Sequence, residues 1–93
     1  MKQTDVGTLL NSIGKKTFVK YYETFKDTAI SHQEMIDRLA VDSQKFTHTS
    51  RANKTSSARR IFKEGLESEA LRIIVDSRAD LDTVEKARKL LDI

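Results

Sequence analysis

Cysteine, proline and tryptophan are absent from the 93-residue chain, and glycine occurs only three times. Without cysteine there is no disulfide framework, no thiolate zinc site and no cysteine nucleophile. Without proline, the strongest breaker of helix interiors is missing. Long apolar runs are missing too. None exceeds three residues, as in Leu39-Ala40-Val41 and Ile73-Ile74-Val75, far short of the roughly 20 that a bilayer-crossing helix needs. The opening Met1-Lys2-Gln3-Thr4-Asp5 is not a basic-then-apolar leader, so a cytoplasmic location and no membrane contact are expected. The length suits one domain over residues 1–93, large enough to bury about 60–65% of its unfolded surface.

Acid is what one stretch lacks. Residues 1–44 carry six Lys/Arg and six Asp/Glu, and residues 64–93 carry five against eight. Between them Lys45, Arg51, Lys54, Arg59, Arg60 and Lys63 face no acid at all, so the net +3 is concentrated in 19 residues. Such clustering is the footprint of a polyanion-binding surface; a solvated linker is the plainer reading of the same residues.

The apolar spacing is helical nearly everywhere. Val6, Leu9, Leu10 and Ile13 form one stripe that Gly14 ends. A second helix spans Thr17 to Lys26, its core face made of Phe18, Tyr21, Tyr22 and Phe25. Ser31 and Glu34 form a capping box ahead of Met35, Ile36, Leu39 and Ala40. Ala58, Ile61 and Phe62 open a helix that Gly65 interrupts. Another runs from Glu67 to Asp76, and a last one starts at Asp82, with Leu81, Val84, Ala87, Leu90 and Leu91 facing inward. Sustained strand alternation is missing. The expected fold is all-α, a compact bundle of five or six short helices.

Chemistry is sparse. His32 and His48 lie on different elements, outside any metal-ligand spacing, and no carboxylate pair is marked out for acid–base work. Gly14-Lys15-Lys16-Thr17 looks like the end of a phosphate-binding loop, but Leu9 stands where the upstream glycine belongs and a helix precedes it. No enzyme, no metal and no cofactor are expected.

From His32 the chain reads HQEMIDRLAVDSQKFTHTSRA. Counted from His32, positions four, eight, ten and fifteen are Met35, Leu39, Val41 and Phe46. Ser43 stands as an N-cap, and residues 42–51 are polar apart from Phe46. This segment, within about residues 31–53, resembles the helix-turn-helix of DNA-binding repressors, departing from it at Ile36, Ala40 and Thr49. The resemblance implies a recognition helix from Ser43 to Ala52 in the major groove. Gln44, Lys45, Thr47, His48 and Arg51 would contact bases, and Lys54, Thr55, Arg59, Arg60 and Lys63 phosphates. Helices over about 57–91 would support the unit or form a homodimer seam. The expected function is that of a small DNA-binding transcriptional regulator of bacterial or phage type. The alternative is an inhibitor or adaptor docking on an acidic protein surface, with Tyr21, Tyr22 and Arg59 as anchors.

Overall fold

The computed structural model describes residues 5–42 and 44–91, which form helices and no strand. Seven helices follow in order: α1 Val6–Ile13, α2 Lys15–Lys20, α3 Tyr22–Lys26, α4 His32–Leu39, α5 His48–Lys63, α6 Glu67–Val75 and α7 Leu81–Leu91. The fold is the all-α bundle that the periodicity predicts.

Local chemistry sets most boundaries. Asp5 accepts the Gly7 amide and so caps α1, which ends at Gly14 with φ 91°. A side chain at that φ is strained, which is why glycine serves there. Ser31 accepts the Glu34 amide at 3.1 Å and starts α4. At the end of α5 the Leu66 amide donates to the Ile61 carbonyl and the Gly65 amide to the Phe62 carbonyl, a Schellman pair closed by Gly65 at φ 70°. In α7 the cap is Asp80, not Asp82, since Asp80 accepts both the Thr83 amide and its hydroxyl. Leu81 is consequently 74% exposed instead of facing inward.

The expected single helix over residues 17–26 is two helices. Tyr21 leaves helical geometry (φ −109°, ψ 20°) between α2 and α3, while its hydroxyl donates to Asp42 at 2.7 Å. The core unites all seven helices through Leu10, Ile13, Phe18, Phe25, Met35, Leu39, Ile61, Leu71, Ile74 and Ala87, none more than 1% exposed. Phe18, Tyr22 and Phe62 make a three-ring cluster with centroids 5.0–5.7 Å apart. Burying such side chains contributes roughly 1.5–3 kcal/mol each. Helix α5 is the hub, packing on α1, α3, α4 and α6, while α6 packs most heavily on α7.

Candidate functional site

The segment that carries the helix-turn-helix resemblance folds differently from its expected outline. Met35 and Leu39 are buried as expected, but Val41 is 86% exposed. The described residues between α4 and α5, 40–42 and 44–47, form turns and irregular backbone, a longer connection than the three- or four-residue turn that motif uses. The N-cap expected at Ser43 falls outside the described residues. Gln44, Lys45 and Phe46 are not helical, and Lys45 sits in the left-handed region at φ 53°, where a non-glycine residue costs roughly 1 kcal/mol. Thr47 is the actual cap, accepting the Ser50 amide at 3.1 Å. From there one sixteen-residue helix, α5, runs through both the expected recognition helix and the start of the expected next one.

Asp42 decides this arrangement. Its carboxylate accepts the Gln44 amide at 2.8 Å, the Tyr21 hydroxyl at 2.7 Å and the Lys20 ammonium at 3.0 Å. The side chain is 1% exposed, so the connection is pinned to the α2–α3 junction through a buried charge. The Gln44 amide first, then Tyr21 and Lys20, hold the carboxyl at about 2 against its ordinary 3.8. Burial, followed by the bond to Asp42, pushes the Tyr21 hydroxyl up to about 12.

Several expected DNA contacts are occupied by the fold itself. Lys54 donates to the carbonyl of Ile13 at 2.8 Å, capping the end of α1, and its ammonium lies 4.5 Å from the centre of the half-buried Phe46 ring. Burial there draws its pKa down. Arg51 donates to the Phe46 carbonyl at 3.0 Å, tying the connection to α5 instead of reaching outward. Thr55 is wholly buried, its hydroxyl bonded to the Arg51 carbonyl, so it cannot meet a phosphate. Thr47 is engaged as the cap. Tyr22 is buried and unavailable as an anchor for a protein partner, while Tyr21 is half-buried with its hydroxyl committed to Asp42.

What remains outward is a line along α5. Thr49, Asn53, Ser56, Arg60 and Lys63 are all exposed, at helical spacings of four, three, four and three, and no acid occurs within α5. Along its first half lies a shallow hollow of about 520 Å³, lined solely by hydroxyl and amide side chains: Ser12 of α1 with Thr47, Thr49, Ser50, Asn53, Ser56 and Ser57. Along its second half a groove of about 530 Å³ opens beside α4, lined by His32, Ser56, Arg59, Arg60, Lys63 and Glu64. Arg60 pairs with Glu64 at 2.7 Å. The exposed line thus changes from neutral hydrogen-bonding groups to cations. Gln44, Lys45 and His48 are exposed beside its start. Asn53 was not among the expected contacts, although its polar spacing with Thr49, Ser56, Arg60 and Lys63 is present in the sequence.

Among the described residues no group of three or more His, Asp or Glu side chains is placed to hold a metal ion, and no helix is long and apolar enough to cross a membrane. No protein-family model matches the chain, and neither a curated protein nor a solved structure does.

Proposed function

We propose that the chain binds double-stranded DNA by laying the exposed line of α5 in the major groove, as a small regulator of transcription. One observation supports this reading above the others. A sixteen-residue helix without a single acid presents neutral hydrogen-bonding side chains along one half and cations along the other. From Thr49 to Lys63 that line is about 21 Å long, at 1.5 Å per residue. A helix fits the roughly 12 Å width of the major groove, and Asn can pair bidentately with adenine while the Thr methyl meets that of thymine. Asn53 and Thr49 take these roles. Lys45, Arg59, Arg60 and Lys63 contact phosphates and set the orientation. The segment 64–93, with five bases against eight acids, stays off the duplex and is available to a second copy of the chain.

The test is selection from random duplexes with the wild type and two variants. Asn53→Ala relaxes the preference at one base pair by about 1–3 kcal/mol. Lys63→Ala weakens all sequences alike. A uniform loss from Asn53→Ala, with no change in preference, would contradict base reading by α5.

A further inference from the structure

Arg59 stands apart from the other cations of α5. Its Nε and Nη2 are buried and make no hydrogen bond within the protein. Arg51 also has a buried Nε without a partner, but its Nη1 donates to the Phe46 carbonyl; Lys54 donates to the Ile13 carbonyl, and Arg60 pairs with Glu64. A guanidinium keeps its charge at any ordinary pH, and buried donors without partners are costly. Arg59 also lies between two grooves. One is the α4–α5 groove described above. The other, of about 440 Å³, is formed by Phe25 and Phe62, with Lys26, Lys63 and Glu67 around it. Each groove brings three Lys/Arg against one acid, and Arg59 and Lys63 belong to both.

We propose that Arg59 is the anchor of a phosphate subsite in the α4–α5 groove, its guanidinium turning outward to grip an oxyanion with both orphan donors. The proposal rests on the DNA-binding reading of α5 for its place on the duplex, but not for its chemistry. Both nitrogens are shielded where they stand, so the grip requires a rotation of the side chain. That rotation exchanges two unpaired donors for a bidentate charge-assisted pair, the geometry in which a guanidinium recognises phosphate best. Lys63, one turn further along the helix, supplies a second charge. Glu64 opposes the anion less than its position suggests, because Arg60 already neutralises it. Ser56, on the same groove wall and on the exposed line, sets the phosphate contact beside the last neutral reader.

The experiment uses the whole chain and two probes, inorganic phosphate and a short duplex. Phosphate titration followed by the Nε–Hε resonance of Arg59 gives a saturable shift, with smaller changes at Arg51. Duplex titration with Arg59→Gln gives about a tenfold loss and a salt slope shallower by about one. Arg59→Lys keeps the charge and the slope but not the bidentate grip, so it recovers only part of the affinity. Circular dichroism confirms that both variants stay folded, and the phosphate titration, made on the unaltered chain, stands regardless of them. An unmoved Arg59 resonance, with full duplex binding by Arg59→Gln, would overturn the subsite and leave the DNA reading intact. A saturable phosphate shift in a chain that binds no duplex would uphold the subsite as one for small phosphates and refute the DNA reading.

Discussion

Replacing Asp42 by Asn removes the buried charge that pins the 40–47 connection, and its effect follows from the geometry. Three donors converge on the carboxylate, which is 1% exposed and held at about 2 against an ordinary 3.8. A carboxyl held below its unfolded value stabilises the fold when ionised. The contribution is fully present above pH ~4 and fades as pH falls through 2. A difference of nearly two units corresponds to about 2–3 kcal/mol at neutral pH, about half of that at pH 3 and a small remainder at pH 2. The side chain is shielded from solvent, so this value needs no large discount for screening. Urea denaturation of wild type and Asp42→Asn at pH 7, 3 and 2 measures the gap directly. It should narrow with acidity in that order. A gap of the same size at pH 7 and pH 2, or none at pH 7, would refute the assignment of the carboxylate as a charged anchor.

The other consequences concern neighbouring residues. Tyr21 should titrate near pH 12 by ultraviolet absorbance. Its neutral form favours the fold, so that contribution is complete below pH ~10 and fades towards pH 12. Lys54→Gln should cost about 1–2 kcal/mol in thermal unfolding, because the α1 carboxyl-terminal carbonyl loses a charged donor, and should leave the salt dependence of DNA binding unchanged. An altered salt slope would mean that the ammonium reaches phosphate after all. Thr47→Ala should cost about 1 kcal/mol and fray the first turn of α5, seen as faster amide exchange at Ser50 and Arg51, whose amides donate to Thr47; unchanged exchange there would mean that the cap is not set by Thr47.

The parts of the fold legible in the sequence are those with local causes. The stripe from Val6 to Ile13 with Gly14 behind it, and the Ser31–Glu34 start ahead of Met35 and Leu39, carry period and cap together. The 43–57 segment carries no apolar period and two candidate caps. Ser43 and Thr47 are both sound cap residues, and Ser, Thr and Asn at 49–57 give no apolar period. Thr47 caps α5, and the described connection ahead of it is tied down by Asp42, whose partners Lys20 and Tyr21 lie more than twenty positions away. The same distance hides the fate of the cations. A count of lysines and arginines places charge in 45–63, but only the tertiary fold commits Lys54 to Ile13 and buries two unbonded nitrogens of Arg59, whereas Arg51 meets Phe46 only five positions back. The exposure of Asn53 is not legible locally, because the residues around it on α5 give no apolar period to mark the buried face.

Duplex affinity as a function of salt bears most directly on the central claim. With Lys45, Arg59, Arg60 and Lys63 as the phosphate contacts, log K against log salt should fall with a slope of about −3 to −4. Absence of binding at low salt, or a slope near zero, would contradict DNA recognition by α5.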